Sequence, residues 1–406
     1  MGKGSWGSTL LLAVILGTGT VPAQGTGIVS SDIRWNGQKN AAVSGESVTF
    51  SADANAAAVS ADRSSATVRS STGDISILGR GRSISAEDSV LTFSSASGAF
   101  SACNEGSVIS ALSDDTYYTY SDAPALYVKN ARVTAEAAGD TVIQSAGSGA
   151  YLFNNKNSAD SLKIISHTGS NYINAGADGI TAYACSYTTA HVRGVSVDMT
   201  AENGSNVISA DNRGLSLASG DITLRASGDN RITAGKKGID TKYLADLKLY
   251  AGGSNVISSD NTAIYTYDKN TISLTASQDN IVIGSTGISA DNMEIRNDTA
   301  SVIIRSENGR TVISGDKSAI DMWRCTVDIE SSADNVLRAG SGYALRALAA
   351  DWSPIRLVSR HGSNDITGNM DCETYGRSVD ILAENGYNVI RGGVSSGISQ
   401  LHIFAR

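Results

Sequence analysis

Several short patterns in this 406-residue sequence have the residue types that hydrolytic chemistry needs. The segment Gly393–Gly397 has the Gly-x-Ser-x-Gly spacing of a nucleophile elbow. That motif works only on a sharp turn between a strand and a helix of an α/β sheet. Here Gly397 directly precedes the aliphatic Ile398, as a glycine does at many other corners of this chain. We therefore predict a structural turn at this segment and no serine nucleophile.

Acid–base cleavage of a polysaccharide requires two ionisable groups close to one substrate. The sequence offers the acidic pair Asp114–Asp115 and the basic segment Arg360–Gly362, which includes His361. At the repeat length of this chain they are about nine coils apart and do not converge. There is no Cys-x-x-Cys pair and no Gly-Gly-x-Gly-x-Asp calcium repeat. We predict no catalytic set, no metal site and no cofactor, and the other histidines are equally scattered: His167, His191 and His402.

Aromatic residues give the one non-random surface pattern. They make up only 6% of the chain, yet they recur one and three residues after a periodic aliphatic position. Side chains at these offsets point outward if the aliphatic side chain points inward. Such a surface suits sugar rings or a protein partner, although strands also favour aromatics that insertions then cover. The candidate ligand-binding residues are Tyr151, Phe153, Tyr183, Tyr265, Tyr267 and Trp323, with Tyr117, Tyr118 and Tyr120 in a comparable place.

One internal repeat must position these residues. Three consecutive copies, Ile222–Ile232, Leu247–Ile257 and Ile272–Val282, share an apolar alternation, a short polar corner, an asparagine and an aliphatic residue. The base period is 24 to 25 residues, with insertions of five to eleven residues in some copies. A second aliphatic anchor follows about seven residues later, as in Gly238-Ile239. Each copy therefore holds three short strands.

Three short strands per repeat predict an all-β fold: a single right-handed parallel β-helix of about thirteen coils. Leucine-rich repeats share the period but need a leucine consensus that is absent, and α-solenoids need longer helical patterns. We expect degenerate N-terminal coils or a cap over residues 24–100 and regular repeats over 101–406. The last residues, Leu401–Arg406, end inside a coil without a polar cap. This predicts a fragment of a longer protein or a capping partner.

The recurrent asparagine occupies one slot in most copies. Asparagine tolerates the left-handed backbone of a sharp corner, and stacked amides can hydrogen-bond along the axis as a ladder. A row of ligand-binding amides is the alternative interpretation, and we favour the structural ladder. Its predicted members are Asn171, Asn206, Asn230, Asn255, Asn280, Asn335, Asn364 and Asn388.

The N-terminus and the charge pattern indicate a secreted chain. Lys3 precedes the apolar run Leu10–Leu16, and Val21–Ala23 supplies the small residues that a signal peptidase recognises. This order predicts a signal peptide over residues 1–23 rather than a short buried segment. The net charge is −8 with no basic run, which argues against nucleic acid. No other run reaches the roughly 20 apolar residues of a membrane helix.

Secretion permits disulfides, but the cysteines are widely spaced. They lie two or three coils apart, beyond the roughly 7 Å between Cα atoms that a disulfide allows. We expect free and mostly buried thiols at Cys103, Cys185, Cys325 and Cys372.

Phrases such as Gly204–Ile208 and Gly238-Ile239 make residues 45 to 400 resemble secreted bacterial β-helix proteins of the autotransporter-passenger and adhesin type. The segment Ala263–Tyr267, followed by the strand Ile272–Leu274, gives a weaker likeness to β-helix carbohydrate-binding domains. The resemblance implies a non-catalytic adhesin or structural display rod at the bacterial cell surface, associated with the outer membrane. Its partner would be a protein or glycan on a host or neighbouring cell. The alternative is a polysaccharide-binding module or a lyase-like β-helix enzyme.

Overall fold

The computed structural model describes residues 10–11, 28–30, 32–52, 57–104, 123–154, 160–184, 194–243, 245–267, 270–291, 300–348, 355–372, 374–394 and 398–406. The chain forms two compact units. Unit 1 comprises Met1–Thr181 and Gly194–Gly204, and unit 2 comprises Ala182–Arg193 and Ser205–Arg406. Within the described ranges the regular elements are all strands, paired in parallel. No helix in these ranges is long and apolar enough to cross a membrane.

Each coil contains three strands joined by short corners. In one coil of unit 2 they are Gly220–Ala226, Asn230–Ala234 and Lys237–Lys242. Every strand pairs with its counterpart one repeat later in the chain, so that Ile232 lies opposite Ile257. The same offset holds for the first and third strands. The predicted parallel β-helix and its period are therefore confirmed.

Unit 1 is built from three columns of stacked strands. The first strands are Ala41–Gly45, Ser65–Ser70, Val90–Ser95, Arg132–Ala137, Asp160–Ser166 and Val195–Ala201. The second strands are Ile28–Ser30, Val48–Ala52, Ile75–Gly79, Phe100–Asn104, Thr141–Ser145 and Asn171–Ala175, and Leu10–Leu11 pairs with the first of them. The third strands are Ile33–Asn36, Ala57–Asp62, Arg82–Glu87, Leu126–Lys129 and Ala150–Asn154, and Ile180–Ala184 runs across the boundary of the units.

Unit 2 repeats this arrangement. Its first strands are Gly220–Ala226, Asp246–Ala251, Thr271–Ala276, Ala300–Ser306, Cys325–Ser331, Ile355–Ser359, Thr374–Ala383 and Ile398–Ala405. Its separate second and third strands are Asn206–Ala210, Arg213–Ala218, Asn230–Ala234, Lys237–Lys242, Asn255–Ser259, Thr262–Tyr267 and Asn388–Arg391. In the intervening coils the second and third strands run together as Asn280–Asp291, Thr311–Trp323, Asn335–Leu348 and Asn364–Cys372.

The core consists of stacked aliphatic rows. Side chains alternate in and out along each strand, and the inward ones meet their counterparts in adjacent coils. Burial of each such side chain contributes about 1.5–3 kcal/mol. The second-strand row of unit 2 is fully buried and comprises Ile208, Ile232, Ile257, Val282, Ile313, Leu337 and Ile366. Cys325 and Cys372 are also buried as free thiols, as predicted, whereas Cys103 is half-buried and Cys185 lies outside the described residues.

The asparagine slot is filled by apolar residues in the first coils of unit 1. Val48, Ile75 and Phe100 stack there in register and are fully buried. Phe100 also packs against Phe93, with ring centroids 5.5 Å apart.

The predicted signal peptide lies outside the described residues except for Leu10–Leu11, and it remains a prediction.

The left-handed corner residues are not the recurrent asparagines. Each asparagine of the slot begins a strand, and none is among the residues with positive φ. The left-handed positions follow the third strand, where the chain turns toward the next coil. They include Arg63, Asp88 and Asn130 in unit 1 and Ser219, Tyr243 and Arg324 in unit 2, with φ between 46° and 59°. Backbone strain is therefore not the reason for the asparagine, and that part of the prediction is wrong.

Candidate functional site

The asparagine row is a continuous hydrogen-bonded ladder. In unit 2, Asn230 Nδ2 donates to Asn255 Oδ1 at 2.9 Å, and Asn255 Nδ2 donates to Asn280 Oδ1 at 2.9 Å. Each amide also donates to a backbone carbonyl of the following first strand, as Asn255 does to Thr275. The predicted ladder is confirmed, with further links between Asn206 and Asn230, Asn335 and Asn364, and Asn364 and Asn388.

Hydroxyl groups bridge the ladder where the asparagine is replaced. Thr311 fills the slot above Asn280, and Ser306 Oγ connects the two at 2.8 and 3.0 Å. The next bridge is Ser331, whose hydroxyl bonds Thr311 and Asn335 at 2.7 Å each. Unit 1 uses the same device, since Ser166 Oγ bonds both Thr141 and Asn171. The polar groups of the row bond one another, which supports a structural role over a row of ligands.

A second ladder runs beside the first, and sequence reasoning missed it. The residue before the asparagine slot is often aspartate, and its Oδ1 accepts the backbone N–H of the equivalent residue one coil later. Asp229 accepts from Ser254 in this way at 2.8 Å. Equivalent bonds join Asp74 to Ala99, Asp140 to Ser170, Asp279 to Arg310 and Asp334 to Ser363.

A glycine always precedes the residue that donates to such an aspartate. A Cβ placed on Gly253 would lie 2.2 Å from Asp229 Oδ1, closer than any real contact. In some of the other coils a serine takes the aspartate position, and its hydroxyl accepts instead, as Ser254 does from the Asp279 N–H at 3.2 Å. The residue above that serine is Gln278, which carries a Cβ. The other glycines above an aspartate are Gly98, Gly169, Gly309 and Gly362.

The predicted aromatic residues of unit 1 are covered. Tyr151 and Phe153 are each only 9% exposed. Their rings stack at 6.4 Å, and Tyr151 also stacks on Tyr127 at 5.8 Å. Arg82 lies over the Tyr127 ring at 4.1 Å. Burial lowers the pKa of the Arg82 guanidinium. This cluster is an internal packing motif with little surface for a ligand.

Other predicted positions are dispersed. Tyr183 is half-buried. Tyr117, Tyr118, Tyr120, the acidic pair at 114–115, His191 and Ser395 lie outside the described residues.

The outer face of the third strands in unit 2 gathers aromatic and charged side chains. Two rows of outward side chains lie one and three positions after the second anchor. Each coil contributes one residue to each row. We call these two rows the third-strand face. One row is Asp240, Tyr265, Ser289, Asp321, Arg346 and Asp371, and the other is Lys242, Tyr267, Asp291 and Trp323.

Ion pairs fix much of this face. Arg346 donates to both carboxylate oxygens of Asp321, at 2.7 and 2.5 Å, the bidentate geometry of a strong pair. At the other end, Lys237 Nζ lies 3.2 Å from Asp240 and 3.7 Å from the centre of the Tyr265 ring. Burial lowers the pKa of this lysine. The cations of both clusters are therefore already engaged by the chain's own carboxylates and rings.

Asp291 differs from the other carboxylates of the face. Its Oδ1 is buried and has no hydrogen-bond partner among the described residues. Burial raises the pKa of this carboxyl, and the nearby Asp321 raises it further. Trp323 stands beside it in the next coil and is 48% exposed. Tyr267, in the preceding coil, packs edge-on against Tyr243 at 6.1 Å.

Sequence reasoning found the aromatics of this face but not its carboxylates. It looked for acidic residues that are adjacent in sequence, whereas these lie one or two repeats apart. Their signal was the same one-and-three offset that identified the aromatics. Asp291 and Asp321 occupy those offsets in neighbouring coils, and Asp371 occupies one of them two coils after Asp321.

A histidine is clamped between two carboxylates in unit 1. His167 Nδ1 lies 2.9 Å from Glu202 and its Nε2 lies 2.8 Å from Glu136. The hydrogen bond with Glu202, followed by that with Glu136, raises the pKa of the imidazole. The two carboxylates bond opposite ring nitrogens and so do not converge on one point. No group of three potential metal ligands occurs among the described residues.

The remaining histidines are isolated from one another. His402 Nδ1 lies 2.9 Å from Asp380, and His361 contacts Asn385 at 3.4 Å. Neither histidine lies on the third-strand face.

No protein-family model, curated protein or solved structure matches the chain. The chemistry of the third-strand face is therefore defined by its own geometry.

Proposed function

We propose that this chain is a secreted, surface-displayed β-helix of the adhesin kind, which presents the third-strand face to a ligand on another cell. The observation that carries the proposal is the exposed Trp323 on the same face as Tyr265 and Tyr267. Aromatic side chains combine a large apolar area with directional contacts, and they are enriched at recognition surfaces. The partner is a glycan or protein at a host or neighbouring cell surface.

A rigid scaffold supports this role. The asparagine and aspartate ladders tie neighbouring coils together at the corner between the first and second strands. The bidentate pair of Arg346 and Asp321 holds a part of the surface in place without a ligand. Pre-organised side chains lower the entropic cost of binding.

A hydrolytic alternative is favoured by one observation. Asp291 has a raised pKa, and the neighbouring Asp321 carboxylate is held by Arg346. Two carboxylates in such different environments can divide the acid and base roles of glycoside hydrolysis. Release of reducing ends that is lost in Asp291→Asn would support the enzyme over the adhesin.

The adhesin proposal is tested by binding of the full chain to glycan arrays and to cell-surface proteins. The triple variant Tyr265→Ala, Tyr267→Ala and Trp323→Ala should lose at least tenfold in affinity, because aromatic anchors dominate interfaces. Tyr250→Ala is the matched control, since Tyr250 is a 39% exposed aromatic on a first strand. Unchanged binding by the triple variant, with its fold intact by circular dichroism, would refute the proposal.

A further inference from the structure

We infer that the third-strand face binds an extended, uncharged glycan that runs along the coil-stacking direction over Tyr267, Asp291 and Trp323. This inference rests on the proposed function and specifies its ligand. It follows from the spacing of the three side chains, from the state of the middle one, and from the charges around them.

The spacing matches a linear sugar chain. Tyr267, Asp291 and Trp323 occupy one outward row in three successive coils. Strands in register lie about 4.8 Å apart, which puts the two aromatic residues about 10 Å apart. A glycan with equatorial linkages is extended and advances by about one strand spacing per ring. Tyr267 and Trp323 therefore match two alternate rings, and Asp291 matches the ring between them.

The orientation of the aromatic platform is set within the chain. Tyr243 meets the Tyr267 ring edge-on, with an angle of 87° between the ring planes. Tyr243 follows the third strand of its coil in a left-handed conformation, with φ of 50°. It is itself 46% exposed. This contact restrains the Tyr267 ring before any ligand arrives, which lowers the ordering cost of stacking.

Asp291 supplies the polar contact for the middle ring. Its buried Oδ1 has no hydrogen-bond partner among the described residues, and a buried polar atom without a partner is costly. The side chain as a whole is half-buried. A sugar hydroxyl, which both donates and accepts, can bond either form of the carboxyl group once that group turns outward. Burial raises the pKa of Asp291, which favours the neutral form as desolvation by a ligand proceeds.

The surrounding charges favour an uncharged chain over an acidic one. Recognition of uronates needs available cations, and Arg346 is already paired to Asp321. Lys237 is likewise held by Asp240. Asp371 adds negative charge to the first row, and Asp291 adds it to the second row when it is ionised. Lys242 is a cation of the second row, two coils before Asp291. An acidic polysaccharide would therefore meet repulsion over Asp291 and Asp371.

Calorimetric titration of the full chain with defined oligosaccharides tests the inference. Cellohexaose and chitohexaose represent uncharged equatorial chains, maltohexaose represents an axial linkage, and oligogalacturonate represents an acidic chain. We expect binding of one or both equatorial chains, with at least tenfold weaker binding of the other two. Disaccharides should bind at least tenfold more weakly than the hexaoses because they cannot reach both aromatic residues.

Single variants locate the contact. Trp323→Ala and Tyr267→Ala should each weaken hexaose binding about tenfold, as loss of an aromatic anchor does. Asp291→Ala should weaken it, whereas Asp291→Asn retains a donor and an acceptor and should stay within about threefold of the original affinity. Tyr250→Ala serves again as the control and should leave affinity unchanged.

Three outcomes would overturn the inference without touching the proposed function. The first is equal binding of maltohexaose or oligogalacturonate. The second is that the chain binds no hexaose, while its attachment to cells is still lost in the triple aromatic variant; this would identify a protein ligand. The third is hexaose binding that is unaffected by Trp323→Ala and Tyr267→Ala. Attachment that survives the triple variant would instead refute the proposed function.

Discussion

Replacing Gly253 by alanine tests whether the aspartate ladder dictates the glycines of this sequence. A Cβ on Gly253 would lie 2.2 Å from Asp229 Oδ1 and 3.2 Å from the backbone carbonyl oxygen of Gly228. The severe conflict is therefore with a side chain. The Asp229 carboxylate must rotate away, and the Ser254 N–H that it accepts at 2.8 Å then loses its partner.

The expected cost follows from that bond. A hydrogen bond to a charged group contributes about 1.5–3 kcal/mol. Replacing glycine by alanine within a strand region stabilises the folded state by roughly 0.5–1 kcal/mol. We expect Gly253→Ala to destabilise unit 2 by about 1–2 kcal/mol. In an Asp229→Ser background the hydroxyl can still accept from Ser254, and the same substitution should become neutral or stabilising.

The assay is a double-mutant cycle by urea denaturation, together with hydrogen exchange of the Ser254 amide. The two substitutions should couple by about 2 kcal/mol, well above the error for independent sites. Gly139→Ala is the matched control, because its Cβ would meet nothing closer than a carbonyl oxygen at 3.4 Å. Equal destabilisation by Gly253→Ala in both backgrounds would refute the role of the carboxylate.

Three further measurements probe other parts of the molecule. Asn255→Ala should lower the free energy of unfolding, measured by urea denaturation, by roughly 2–4 kcal/mol, because it leaves buried ladder partners unsatisfied. Asn255→Ser keeps a short polar group and should cost less stability. Equal losses in the two variants would contradict the ladder. The raised pKa of His167 makes its stabilisation complete below the unfolded pKa of about 6.5 and lost as the pH rises through the folded value. Because the ring is partly exposed, the stability difference from His167→Gln should be under about 1 kcal/mol. It should shrink as the pH rises above about 6.5, and a constant difference would contradict it. Burial raises the pKa of the Cys372 thiol to about 12 and also raises that of Cys325, so alkylation should require unfolding, and fast labelling of the native chain would be inconsistent with this burial.

The strand order and register were predictable because they depend on local alternation repeated at a fixed spacing. Ile232 and Ile257 lie opposite each other because their strands are one period apart in sequence. The asparagine ladder follows from the same arithmetic. Its physical reason was only half predictable, since the left-handed backbone belongs to residues such as Tyr243, at a different corner.

The exposure of the aromatic residues was not predictable. Periodicity fixes which way a strand side chain points but not what lies over it. Tyr151 and Trp323 both follow the second anchor by the outward offsets, yet Tyr151 is 9% exposed and Trp323 is 48% exposed. Neighbouring side chains decide the difference: Tyr151 stacks on Tyr127 of the preceding coil and on Phe153 of its own strand. The convergence of Asp291 and Asp321 likewise requires the register of the stacked coils.

Between Asp229 and Asp334 the aspartates recur every second coil, which makes the coil pair the natural unit for lengthening or shortening this part of the chain. Removal of the single coil that carries Ser254 would place Gln278, with its Cβ, against the Asp229 carboxylate, where only glycine fits. It would also stack Asp229 directly beneath Asp279, two like charges about 4.8 Å apart. Removal of two coils would instead bring Gly309 over Asp229 and preserve both the bond and the space. At this place in the chain a deletion of two coils should therefore be tolerated better than a deletion of one, which needs a compensating substitution at the corner.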